Sequence, residues 1–360
     1  MWPDRRVLDL FAIEFPIIQA PMAGAAMSDM VAAVSEAGGL GSLPCALLSL
    51  EQARRELEII RGKTSRPMNV NFFCHREPSH DPDREMRWRQ RLDGYYIQLG
   101  LANNADAQAS NRAPFDEKMC DLVVEFHPEV VSFHFGLPEK NLLARVQRAG
   151  AKIISSATSV DEAVWLEDQG CDAIIAQGYE AGGHSGMFLT RDVSTQLGTM
   201  ALVPQVVDAV KVPVIAAGGI ADARGIVAAF SLGAAAVQMG TAYLLCPEAK
   251  ISPLHRQALK NSKDNETVVT NVFTGRPARG IVNRLIREVG PISDDAPEFP
   301  LAAGAVLPLR LKSETAGLHD FTPLWSGQAA RLCRELPAAQ LTKQLVEETL
   351  EKLRSTQIRR

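Results

Sequence analysis

The chain contains seven histidines, and one lies where an imidazole could act on a bound molecule. The segment IIAQGYEAGGHSG, Ile174 to Gly186, passes from an apolar run into Gln177, then four glycines and His184. Each glycine costs backbone entropy on folding, so the cluster implies that the backbone must approach something closely. An imidazole titrates near ~6.5. It can take a carbon-bound proton or hold charge beside an anion; the other reading of His184 is a loop histidine bonded to a backbone carbonyl. Gln177 carries both a donor and an acceptor for a polar ligand edge, as does Asn71 in PMNVNFF.

Two further segments have the chemistry of a phosphate site. AAGGIADARG sets Gly218 and Gly219 just before a helix that starts near Asp222, and VQMGT supplies Gln238, Met239, Gly240 and Thr241. Backbone N–H groups beside a helix N-terminus favour a phosphate. His134, in SFHFG, is open between a structural role and a place at the ligand. Tyr95, Tyr96 and Lys312 are candidates for the substrate pocket, weighed against packing for the tyrosines and solvation for the lysine. His75, His80, His127, His255 and His319 read as structural. No H-x-x-x-H or carboxylate pairing suggests a metal.

These residues need a scaffold that brings distant segments together. Eight short apolar runs recur along the first two thirds of the chain: FPIIQAPMA, GLGSLP, PMNVNFF, EVVSFHFG, AKIISSA, CDAIIAQG, VPVIAAGG and AAAVQMGTAYL. Most precede a helical pattern, such as SDMVAAVSEAG with Ser28 to cap it and Gly38 to stop it. Continuous apolar strands joined by helices indicate a covered parallel sheet, and eight units is the number of a (β/α)8 TIM barrel. A doubly wound sheet would favour G-x-G-x-x-G after the first strand, and APMAGAAMS does not fit. The predicted fold is therefore α/β, a barrel over residues 1–246. A smaller capping domain over 247–320 covers its C-terminal face, and C-terminal helices over 321–360 pack back on the barrel. Barrel enzymes hold their sites at the C-terminal strand ends. Polar or glycine residues recur there on six strands, which suggests one shared ligand.

Bulk composition excludes other classes. The 38 Lys and Arg against 42 Asp and Glu give a net charge of −4, which offers no nucleic-acid surface. No run of ~20 residues is apolar enough to span a bilayer, and the N-terminus lacks the apolar core of a signal peptide. Six scattered cysteines without a C-x-x-C pair point to buried thiols in the reducing cytoplasm.

QAPMAG, NVNFF, FHFGLP, QGYEAGGHSG, PVIAAGGIADARG and VQMGTAYL together resemble the nitronate monooxygenases, formerly called 2-nitropropane dioxygenases. DPDREMRWRQRLDGYYIQLGL and HDFTPLWSGQAA extend the resemblance over nearly the whole chain. It implies an FMN enzyme that oxidises alkyl nitronates, such as propionate 3-nitronate, with O2 to a carbonyl compound and nitrite. It implies FMN contacts at Met22, Asn71, Gln177 and Gly182. Gly218 and Gly219, and the run Gln238, Met239, Gly240 and Thr241, complete the cofactor set. His184 matches the family's catalytic histidine. Gly182 is expected to let the backbone approach the cofactor. The partners implied are a small nitronate and O2, with a homodimer possible through the second domain and detoxification as the role.

Two alternatives differ in class. One is a flavin enzyme of the same fold that uses NADH, either an enoyl-acyl-carrier-protein reductase or a quinone reductase. The other is an FMN-binding protein without catalysis, against which a histidine in the glycine loop argues.

Overall fold

The computed structural model describes residues 2–79, 81–103 and 112–357; His80 lies outside them. Nine strands belong to the barrel region: β1 (Ile17–Gln19), β2 (Gly41–Pro44), β3 (Met68–Phe73), β4 (Val130–His134), β5 (Lys152–Ala157), β6 (Ala173–Gln177), the two-residue β7 (Gly183–His184), β8 (Val214–Ala217) and β9 (Ala236–Met239). All but β7 form one parallel sheet in the order β1-β9-β8-β6-β5-β4-β3-β2. Gln19 donates its N–H to Leu40 at 3.0 Å, and Leu40 donates to Ile17 at 3.0 Å, bringing the two edges together into a barrel. The predicted (β/α)8 fold is the one observed.

Strand alternation divides the core in two. On β3, Met68, Val70 and Phe72 belong to the large apolar cluster that the surrounding helices share with the strands. Asn69 and Asn71 alternate with them. Asn69 Nδ2 donates to the hydroxyls of Ser42 and Ser132 at 3.0 and 2.9 Å. A separate apolar cluster joins Ile18, Val130, Ile154, Ile175 and Ile215 from five strands. Val7, Leu8 and Phe11 of the helix Arg6–Phe11 complete it. Gln19 belongs to the barrel wall rather than to a site: it is fully buried and accepts the Ser42 N–H at 2.9 Å.

Beyond the barrel, β10 (Thr267–Thr270) and β11 (Ala278–Ile281) pair antiparallel, and β11 pairs with β7. The apolar cluster around this sheet contains Leu285, Ala302, Leu309 and Phe321. It also takes Trp88, Leu92 and Tyr96 from the helix Pro82–Leu99, so the third strand-to-strand connection packs with the small sheet. Asp81 caps that helix at Arg84 N–H, and proline occupies its first turn, the usual N-terminal pairing of cap and proline. The helix Ala338–Gln357 puts Leu341, Leu345 and Val346 into the barrel's outer core. Among the described residues, no helix is long and apolar enough to cross a membrane.

Candidate active site

A cavity of about 460 Å³ opens at the C-terminal ends of the strands, between the barrel and the small sheet. Six strands reach it with the residues their ends were expected to carry. Asn71 stands on β3, His134 on β4, Gln177 on β6 and Gln238 on β9, with Gly218 just after β8 and Met22 beyond β1. Gly182, Gly219, Gly240 and Thr241 also line it. Met239 does not: its side chain is fully buried in the outer core, because alternation on β9 turns it away from Gln238. Its carbonyl is also taken, by the Ala20 N–H at 2.9 Å.

His184 enters the cavity from β7, where it pairs with Ala278. Two side chains hold its backbone carbonyl. Gln177 Nε2 donates to it at 3.1 Å, and His134 Nε2 lies 3.2 Å away. Gln177 Oε1 in turn accepts the Gly186 N–H at 2.6 Å, so its amide brackets Ser185, just after the histidine. His134 Nδ1 lies 3.1 Å from the Ser156 hydroxyl. His134 thus borders the cavity and also fixes the peptide of His184.

The His184 ring sits among Phe73, Phe135, Phe299 and Trp325, with centroids 5.3 to 6.1 Å away. Its Nε2 lies 2.9 Å from the Thr274 hydroxyl. Burial pushes its pKa well below the ordinary histidine value, and nearby Arg112, His134, Arg276 and His75 push it further. The side chain is therefore a neutral imidazole at neutral pH. Burial likewise brings His134 down to about 4, against the opposing hydrogen bond to His184.

Positive charge gathers at the same cavity. Arg112 and Arg310 both line it, and burial, aided by Arg310, lowers Arg112 to about 10. Among the described residues Glu180 is the one carboxylate on the wall, and its oxygens accept the Thr199 N–H at 2.8 Å and hydroxyl at 2.9 Å.

The phosphate expectation changes in detail. The helix after β8 is Ala223–Ser231, and Asp222 already caps it by accepting from Arg224 and Gly225. Burial raises the Asp222 carboxyl, but bonds from the Arg224 side chain and backbone outweigh this and hold it low. A carboxylate thus occupies the helix end. Thr241 Oγ1 accepts the Gly327 N–H at 2.9 Å, which leaves its own proton to donate. The cavity fits a flavin on two counts. Gln238 Oε1 is buried without a hydrogen-bond partner, a costly state unless a ligand donates to it. Asn71 Nδ2 donates to the Ser132 carbonyl and hydroxyl, which leaves Oδ1 as an acceptor.

Other expectations are corrected. A Cβ at Gly182 would lie 2.4 Å from the Gly327 nitrogen, so the close approach there is to the chain's own Ser326–Gly327 segment. Tyr96 is buried in the small unit and donates to the Ala305 carbonyl at 2.6 Å. Tyr95 packs on Phe321 at 5.2 Å. Neither lines the cavity, because their helix is committed to the small apolar cluster. Lys312 is exposed on the helix Ala302–Thr315, with the cavity-lining cation, Arg310, two residues before it. His255, read as structural, lines the cavity and lies 3.0 Å from the Trp325 carbonyl.

Phe73, Arg112, Thr274 and Trp325 were not singled out by sequence. Phe73 had a signal, since it lies two residues after Asn71 on one strand and so shares its face. Trp325 stood in LWSGQ, which carried resemblance but no chemistry. Nothing local marked Arg112. Among the described residues, no group of three or more His, Cys, Asp or Glu is placed to hold a metal.

Comparison with known proteins shows the family. The family model described as nitronate monooxygenase matches residues 4–348. A nitronate monooxygenase from Pseudomonas aeruginosa is 41% identical over 345 residues, covering 95% of this chain and 98% of that protein. A solved nitroalkane oxidase from Streptomyces ansochromogenes is similar with a TM-score of 0.88 and 37% identity, over 98% of this chain and 99% of that one. FabK from Thermotoga maritima shares the fold at a TM-score of 0.75 and 29% identity, over 99% of both chains. Matched by that family model over residues 4–348 and by a relative 41% identical over 95% of its length, the chain belongs to the nitronate monooxygenase family of enzymes.

Proposed function

We propose that this enzyme uses FMN and O2 to oxidise alkyl nitronates to a carbonyl compound and nitrite. The observation that carries this reading is one cavity lined by a neutral imidazole, two guanidiniums, a Gly218–Gly219 turn, Gly240 and Thr241. FMN, when bound, supplies the electron transfer between substrate and O2. Thr241 and the glycine turn would hold its phosphate. Asn71 Oδ1 and the unpartnered Gln238 Oε1 would be acceptors for its polar groups, with Met22 lining the same cavity.

His184 then has two tasks. It takes the α proton when a neutral nitroalkane is offered, and it orients the nitronate otherwise. Its depressed pKa keeps it unprotonated and ready to act as a base. Arg112 and Arg310 attract an anionic substrate and hold it in place, and propionate 3-nitronate suits them. Detoxification of nitro compounds in the cytoplasm is the corresponding role.

Purified protein mixed anaerobically with propionate 3-nitronate, and separately with NADH, tests the reading. Flavin bleaching with the nitronate alone, then nitrite release in air, supports it. Bleaching with NADH alone moves the enzyme to the reductases, a rival motivated by the similarity to FabK. Arg310→Met is expected to raise KM for the nitronate about 10-fold or more, with a smaller effect on kcat. An unchanged KM would remove Arg310 from substrate binding.

A further inference from the structure

The two ring nitrogens of His184 stand in different surroundings. Nε2 lies 2.9 Å from the Thr274 hydroxyl, while among the described residues no hydrogen bond to Nδ1 is found. The ring lines the cavity, and with its Nε2 edge held by Thr274, the Nδ1 edge is the one left for a substrate. Thr274 is 2% exposed, so its hydroxyl must find partners inside the protein. Its second neighbour is the Arg276 carbonyl at 3.4 Å, which can only accept. A hydroxyl that donates to this carbonyl receives a proton from the histidine. Which nitrogen carries the proton is set by the bond the other partner makes.

We infer that Thr274 holds His184 in the Nε2–H tautomer, which makes Nδ1 the nitrogen that takes the substrate α proton. The inference rests on the reading of His184 as the base toward neutral nitroalkanes. Thr274 is a positioning residue, since it meets the imidazole and not the substrate. Ring and hydroxyl are carried by one frame. His184 pairs with Ala278 across β7 and β11, and Ser185 donates its N–H to the Pro277 carbonyl at 2.9 Å. The turn that carries Thr274 is closed by the Gly275 N–H on the Asn271 carbonyl at 2.8 Å. Asn271 is itself held to Ser293 by two bonds of 2.9 Å.

The proton balance is simple. The α C–H bond breaks, its electron pair stays on the substrate as the nitronate, and the proton goes to Nδ1. The resulting imidazolium keeps its Nε2–H on Thr274. Without the hydroxyl, an Nε2–H would be buried and unpaired, which is costly. The proton would then move to Nδ1 and abolish the base.

The test uses the flavin-loaded protein with 15N-labelled histidine, His184→Asn to assign the signals, and long-range proton–nitrogen correlation to read the tautomer. The expected result is a protonated Nε2 and a bare Nδ1 in the unaltered protein, and a protonated Nδ1 in Thr274→Val. In steady state, Thr274→Val should lower the ratio of nitroalkane to nitronate kcat/KM at least about 10-fold, and Thr274→Ser should restore it to within about 3-fold. A protonated Nδ1 in the unaltered protein would overturn the inference. So would an unchanged substrate ratio in Thr274→Val. If the unaltered enzyme turns over no nitro compound, the functional reading fails, and the spectrum still decides the tautomer.

Discussion

His184 has cations and aromatic rings for neighbours and no carboxylate partner in its hydrogen bonds, and this sets the direction of its titration. Burial, then Arg112, His134, Arg276 and His75, all disfavour the imidazolium. A base must be unprotonated, so kcat/KM for a neutral nitroalkane should rise with pH only through a pKa well below the ordinary ~6.5. Between about pH 6.5 and 8 that profile should be flat. A rising limb centred near pH 6.5 or above would show that the imidazole is not the isolated group described here. Substitution of the ring gives the complementary test. His184→Asn should lose about 10²-fold or more in nitroalkane oxidation while keeping bound flavin, measured by turnover and by the visible spectrum.

At the scale of the element, the loop from β6 to β7 explains its own glycines. The sequence suggested a backbone that must come close to a ligand. At Gly182 the close neighbour is instead the Ser326–Gly327 backbone, 2.4 Å from where a Cβ would stand. Gly183 has φ of +71° with open space around its Cβ position. The two positions should therefore respond differently to alanine. Gly183→Ala should cost only the left-handed backbone penalty of about 1–2 kcal/mol. Gly182→Ala forces two chain segments apart, should cost about 1–3 kcal/mol or more, and should weaken flavin retention because Gly327 is bonded to Thr241. Denaturant midpoints and flavin release check both. Equal effects would mean that the Ser326–Gly327 segment yields freely.

For the molecule as a whole, buried histidines and the shared small unit dominate. His75, His134 and His255 are each lowered to about 4 by burial. The unfolded chain binds protons at these sites near ~6.5, while the folded chain does not until about pH 4. Stability from these groups is therefore complete above pH ~6.5 and is lost as pH falls toward 4, by at most ~1.4 kcal/mol per pH unit for each. The melting temperature should fall over that window, and less steeply in His134→Gln. Trp88 tests the small unit. It is 1% exposed, and its Nε1 donates to the Ala302 carbonyl at 3.2 Å. Trp88→Ala should cost that unit about 3–5 kcal/mol and raise KM for the nitronate. Flavin should remain bound, because the residues proposed to hold it lie on the barrel.

The barrel and most of its site were legible in the amino-acid order. Strand periodicity is local, the C-terminal end of each strand follows from it, and a parallel barrel gathers those ends in one place. The order of residues alone therefore puts Asn71, His134, Gln177, Gly240 and Thr241 at one end of the barrel, where they line the cavity. The same alternation turns the Met239 side chain away from the cavity that its neighbour Gln238 lines. What local pattern does not contain is the path of long connections. The helix Pro82–Leu99 could have turned Tyr95 and Tyr96 toward the substrate, and only tertiary packing directed Tyr96 into the apolar cluster with Leu309 and Phe321. Arg112, Arg310 and Thr274 likewise reach His184's side of the molecule from segments at least 72 residues away in sequence. The chain by itself thus determined which strand ends meet, because that depends on short-range periodicity. The tertiary structure decided which cations and which hydroxyl surround the imidazole, because that depends on how a second, discontinuous unit settles over the barrel.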